Sequence, residues 1–252
     1  MEQLKAEEVR AFVNENISAF HEKKLHSLQS IDLKDVLKSK NPYLFRAKNI
    51  TLAGDLVRGI LDAFLSSSEE KIFGDFLENL ATFIASKTTG GKKSPATGID
   101  LEFSDKGTIY LVSIKSGPNW GNNAQHKKQI QDFQTAVKVL KQSEHTGNVQ
   151  PVLGICYGKT RTNYLHGYLK VVGQNFWYLI SGNEDLYTDI IDPLGHRAKQ
   201  HNTKFTGQRA KIINLFTQEF LKEFCDDGVI NWKKVVEFNS GNLDLKGNTA
   251  KD

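Results

Sequence analysis

Residues 98–117 read Gly98-Ile99-Asp100-Leu101-Glu102-Phe103-Ser104-Asp105-Lys106-Gly107-Thr108-Ile109-Tyr110-Leu111-Val112-Ser113-Ile114-Lys115-Ser116-Gly117, two alternating runs about a Ser104-Asp105-Lys106-Gly107 turn. Alternation with period two on both sides of a Gly-containing turn predicts a β-hairpin. The period also assigns faces. Ile109, Leu111, Ser113 and Lys115 point one way and Tyr110, Val112 and Ile114 the other, while Asp100 and Glu102 share a face opposite Leu101 and Phe103. Folding at the turn brings Asp100 close to the Ser113 to Lys115 end of the second strand. A carboxylate and an ammonium meeting on a sheet are usually an ordinary ion pair, so their meaning depends on what surrounds them.

Upstream, residues 1–65 read as a helical segment packed on the core, with Val9, Phe12, Val13, Ile17 and Phe20 at helical spacing and a break at Asn41-Pro42. Ser66-Ser67-Ser68-Glu69-Glu70 reads as the start of a further helix, in which Phe73, Phe76, Leu77, Leu80, Phe83 and Ile84 form one stripe. At 100° per residue Glu78 falls beside Gly74, Ala81 and Ala85, a strip of small residues that another backbone could approach closely. A solvated glutamate is the ordinary alternative. The following TTGGKKSPATG is a Gly-rich polar loop whose Gly91-Lys92-Lys93-Ser94 does not fit the Walker spacing, which excludes a nucleotide-triphosphatase reading. Lys92 and Lys93 could still touch a phosphate backbone.

The chain has 252 residues, 39% of them hydrophobic, which suits a globular unit with a proper core. Its 33 Lys and Arg against 29 Asp and Glu give a net charge of +4, compatible with a polyanionic partner without demanding one. No stretch approaches the roughly 20 apolar residues that span a bilayer and MEQLKAEEVR lacks a secretory apolar segment, so a cytoplasmic protein is expected. Cys156 and Cys225 lie far apart in apolar contexts and read as buried small hydrophobes. The seven histidines form no HExxH, which argues against a histidine-bound metal.

An acid opening one strand, a lysine closing the next, the Ser116-Gly117-Pro118-Asn119 turn after it and a helix carrying Glu78 before it resemble the PD-(D/E)xK nucleases. The segments 41–49 (NPYLFRAKN), 73–86 (FGDFLENLATFIAS), 112–125 (VSIKSGPNWGNNAQ) and 176–199 (FWYLISGNEDLYTDIIDPLGHRAK) are similar to type II restriction endonucleases of that superfamily. The resemblance implies an α/β fold, a mixed central sheet flanked by helices with an N-terminal helical segment, the nuclease domain covering residues 66–238. It implies a first metal-binding acid at Asp100 and the motif lysine at Lys115. The second acid of the pattern falls on Ser113, so another carboxylate must supply that charge. Glu78 is the first choice and Glu102, roughly 6 to 7 Å further along its strand, the alternative. On this reading Asp100, Glu78 and the Ile114 carbonyl hold Mg²⁺, and Lys115 orients the attacking water. Partners would be double-stranded DNA, a second copy of the chain in a homodimer and a cognate DNA methyltransferase. A repair or recombination nuclease of the same fold, and a non-catalytic DNA-binding module, remain as alternatives.

Further along, Asn122 or Asn123 caps a helix whose Ile130, Phe133, Val137 and Leu140 face the core, with Lys127, Lys128, Lys138 and Lys141 outward. Gln125 in its first turn is a candidate polar neighbour of the active site, alongside Ser113. Trp120 is expected to pack under the turn rather than stack on bases. Strands are predicted at VLGICYG, YLKVV and FWYLIS, then a helix from about Gln208 to Phe224 and a disordered tail at 239–252. The connections 158–163 and 195–201 collect Lys159, Arg161, Asn163, His196, Arg197 and Lys199 as candidate DNA contacts.

Overall fold

The computed structural model of the chain describes residues 2–142 and 147–244. The hairpin forms as its alternation requires. Strands β2 (Leu101–Asp105) and β3 (Thr108–Lys115) pair antiparallel, with Asp105 opposite Thr108. Lys106 and Gly107, at φ 47° and 77°, make the two-residue turn, whose positive φ at both positions matches the right-handed twist of the strands. β1 (Lys92–Lys93) pairs antiparallel with β2 on its outer side. On the other side β3 runs parallel to β4 (Asn148–Ile155), and β4 parallel to β6 (Tyr168–Val172), with the short β5 (Asn163–Leu165) antiparallel at the far edge. The sheet order β1-β2-β3-β4-β6-β5 is therefore mixed.

The chain divides into two compact units. One joins residues 1–21 to 71–198 and the other joins 22–70 to the residues from 199 onward. The first holds the sheet, with both faces covered. Leu101, Phe103, Val112 and Ile114 face a core built with α1 (Ala6–Gln29), α4 (Ala53–Thr88) and α6 (Gln174–Ser181). Leu111, Leu153 and Ile155 face Phe133 and Ala136 of α5 (Asn123–Gln142). Neighbouring residues of one strand thus serve opposite cores, as a two-sided sheet demands. In the second unit Asp32 caps α2 (Leu33–Ser39) and Asn41 caps α3 (Pro42–Ala47), with Pro42 in the first turn where its missing N–H costs nothing. Leu56, Val57 and Ile60 pack there on Phe220 and Phe224.

Several expectations are corrected. FWYLIS is helical: it lies in α6, where Phe176, Trp177 and Ile180 are buried on one stripe between Gly173 (φ 60°) and the left-handed Gly182 (φ 69°). A short aromatic run supports either period, and the flanking glycines decide for the helix. Ser66 to Glu70 do not start a helix but lie inside the continuous α4, where Ser67 Oγ donates to the Ala63 carbonyl. The boundary expected at residue 65 therefore falls within one helix, and the compact units divide elsewhere. The last long helix, α9 (Ala198–Phe224), begins ten residues before Gln208, so Lys199 is helical rather than in a loop. Of the expected tail, Asn239 and Ser240 close α10 (Trp232–Ser240), and residues 245–252 lie outside the described residues. Among the described residues no helix is long and apolar enough to cross a membrane.

Candidate active site

The site is built at the end of the hairpin away from its turn. Gly98 enters with φ 75°, and a Cβ there would come within 2.4 Å of an Asp132 carboxylate oxygen on α5, so glycine alone lets the chain pass. Two residues on, Asp100 donates its N–H to the Val112 carbonyl at 2.9 Å. Its Oδ2 is held by the Ile114 N–H at 2.6 Å, faces the Ser113 hydroxyl at 3.3 Å and pairs with Lys115 Nζ at 3.8 Å. All these contacts fall on one oxygen. Among the described residues Oδ1 has no hydrogen-bond or ion-pair partner, which leaves a hard donor available.

Glu78 reaches the same place from α4. Its carboxyl is pushed above the ordinary carboxylate range, first by burial and then by the charge of Asp100, while Lys93 and Lys115 pull it back. The small-residue strip does what its composition suggests. A Cβ on Gly74 would touch the Ser116 side chain at 3.6 Å, and Ala85 lies against Gly91 at 2.9 Å from the Cβ position there. Helix and strand end therefore meet closely enough for Glu78 to feel Asp100. Glu102, by contrast, is taken up by Lys92 at 3.2 Å and by the Ser94 hydroxyl at 3.1 Å.

Ser113 is fully buried and donates to Gln129 Oε1 at 2.8 Å; Gln129, buried on α5, donates its amide to the Gly98 carbonyl at 3.3 Å. Gln129 is thus a polar residue of α5 in contact with the strand end. Gln125 instead is exposed and caps its own helix, accepting from the Asn122 N–H at 2.8 Å. Gln129 was legible as a polar residue on the stripe of Phe133 and Ala136, a position that must be satisfied if buried. Trp120 is half-buried against the α5 face of the sheet, with the His126 ring at its edge and Lys115 Nζ 5.5 Å from its centroid. Cys156, beside the site, is buried and its thiol is pushed up to about 12, chiefly by burial, so it is inert.

The candidate DNA contacts fall in two places. Lys159 and Arg161 are exposed on the loop that leaves β4 beside Lys115, where Cys156 and Tyr157 donate to the Lys115 and Ser116 carbonyls, and Asn163 opens β5. His196 and Arg197 form the turn after α8 (Ile191–Leu194), and Lys199 stands in the first turn of α9.

The arrangement sets the Glu78 carboxyl in the field of Asp100, whose Oδ2 lies 3.8 Å from the Lys115 ammonium. Such a donor set suits a hard, oxygen-preferring cation that keeps part of its water shell. Among the described residues no three His, Cys, Asp or Glu side chains converge as a metal site, so the remaining positions would fall to backbone and water.

A mixed sheet covered by helices, with an acid and a lysine side by side at one strand end, is a restriction-endonuclease-like architecture. The family model described as Type II restriction endonuclease EcoO109I matches residues 7–202, well over half of the chain, and the chain belongs to that family. No curated protein matches it.

Proposed function

We propose that this restriction endonuclease cuts double-stranded DNA at a specific sequence, hydrolysing phosphodiester bonds with Mg²⁺ at a PD-(D/E)xK-type site formed by Asp100, Glu78 and Lys115. One observation carries the reading: Asp100, opening one strand, lies 3.8 Å from the ammonium of Lys115 at the end of the next, and on a separate helix the carboxyl of Glu78 is raised by burial and then by the charge of Asp100. An acid perturbed by burial and a specific charge partner, beside a lysine at a strand end, is a functional-site candidate with a physical rationale.

Asp100 Oδ1, the Glu78 carboxylate and the Ile114 carbonyl would hold the cation. When bound, Mg²⁺ supplies neutralising charge at the pentavalent phosphorane and acidifies a water ligand. Lys115 holds and orients the attacking water against the phosphate and screens the developing charge, a role its ammonium serves without leaving Asp100. Ser113 and Gln129 keep Asp100 and the Gly98 turn in place. One site cuts one strand, so a homodimer whose dyad coincides with that of the DNA is the simplest way to cut both. Arg161, Asn163, His196 and Arg197 would read bases, Lys159 and Lys199 would touch phosphates, and a cognate DNA methyltransferase would protect the host's own sites.

The serine in place of the second acid is what a non-catalytic DNA-binding relative would also carry, and one assay separates the two. Supercoiled plasmid is incubated with the protein and Mg²⁺ or EDTA, and the ends are mapped. Discrete, Mg²⁺-dependent ends are expected. Intact plasmid over a range of target sequences points to the binding module, and cutting without sequence preference to a repair nuclease.

A further inference from the structure

We infer that Trp120 is a positioning residue for Lys115, its indole face holding the ammonium at the hydrolytic site; this rests on the function proposed above. Lys115 Nζ stands between two partners of different kind. Asp100 Oδ2 lies 3.8 Å away and the Trp120 ring centroid 5.5 Å away, within the distance at which an ammonium is attracted by the ring quadrupole. A lysine has a flexible four-carbon stem and a single carboxylate does not fix it, because charge attraction has little direction. A flat face on a second side does restrict it.

The indole is itself held. His126, from the first turn of α5, meets it edge-on with centroids 4.4 Å apart, and the ring packs against the core that includes Phe133 and Ile155. Gly121 follows at φ 72°, a left-handed position that turns the chain back toward α5, and Gln125 would lie 3.3 Å from any Cβ added there. The loop 116–122 thus returns Trp120 to the lysine that precedes it by five residues.

The test compares Trp120→Leu and Trp120→Phe with the wild type, reading the single-turnover cleavage rate at saturating protein and, separately, affinity for the same duplex without Mg²⁺. Loss of the face is expected to lower the rate of Trp120→Leu roughly tenfold. Trp120→Phe, which keeps a π face, should stay within about threefold, and duplex affinity should be unchanged in both. If Trp120→Leu does not fold, Trp120→Met replaces it under the same criteria. Wild-type cleavage by the ringless variant overturns the proposal, as does a loss of affinity that accounts for the loss of rate, which would make Trp120 a base-stacking residue. Lys115→Ala is the control for the underlying function. If it is inactive while the ringless variant is fully active, only the role of Trp120 fails; if it cleaves normally, the proposed chemistry fails.

Discussion

The Ser113 hydroxyl donates to Gln129 Oε1 at 2.8 Å, tying the strand that ends in Lys115 to a helix residue sixteen positions further along the chain than the serine. A hydroxyl has one proton, and the more distant Asp100 Oδ2, at 3.3 Å, competes for it. The strand position two residues before Lys115 therefore holds a neutral pair, Ser113 and Gln129, which supports Asp100 through Gly98 and Ser113 beside its ion pair with Lys115.

Gln129→Leu should destabilise the protein by roughly 1 to 2 kcal/mol, because Ser113 can turn its proton to Asp100 while the Gly98 carbonyl loses its donor. Urea unfolding measures this. No change in midpoint would mean that the Ser113–Gln129 pair contributes nothing to the fold.

Asp100→Asn or Lys115→Ala should lower cleavage by on the order of 100-fold or more while duplex binding persists, since the positioning contacts lie on other residues. Unaltered cleavage by either would remove the proposed mechanism.

Glu78→Gln should abolish cleavage and weaken Mg²⁺ binding far more than Glu102→Gln, whose carboxylate is already engaged by Lys92 and Ser94. The reverse ranking would move the metal ligand to the strand.

The same substitution has a consequence for stability in the absence of metal. The folded protein raises the pKa of Glu78, so its ionisation opposes folding. Below the ordinary carboxylate pKa the group is protonated in both states and the cost is absent; above the raised folded value the cost is complete. Glu78→Gln should thus melt like the wild type at acidic pH and at a higher temperature at neutral pH, both in EDTA. A melting difference independent of pH would contradict the environment assigned to Glu78.

Replacing Arg161 or Arg197 by Ala should cost about 1 to 3 kcal/mol on the cognate duplex and relax discrimination at one base pair if the side chain reads a base. A phosphate-contacting residue such as Lys199 should weaken all sequences alike and reduce the salt dependence of binding. Competition binding with single-base variants of the mapped site distinguishes the two, and sedimentation with uncut duplex tests the dimer.

The hairpin and the approach of Asp100 to the Ser113 to Lys115 end of the second strand were determined by the sequence itself, whereas the turn, read as Ser104 to Gly107, is only Lys106 and Gly107, with Ser104 and Asp105 paired in the strand. Antiparallel pairing about a short turn is local, and a period of two leaves the faces no choice. The helix from Asn123 and its apolar stripe were legible for the same reason. Only the tertiary structure shows that Glu102 is engaged by Lys92 and Ser94 while the charge of Asp100 acts on Glu78, and that Ser113 bonds to Gln129. In each case the periodicity ranks residues on one element but carries no information on how far another element lies from it. That distance was decided by Gly74 against Ser116 and by Gly98 against Asp132, close approaches between segments far apart in the chain. The helical state of FWYLIS and the unbroken run of α4 through Ser66 to Glu70 were decided likewise, because short runs of aromatics or serines suit more than one backbone and packing selects among them.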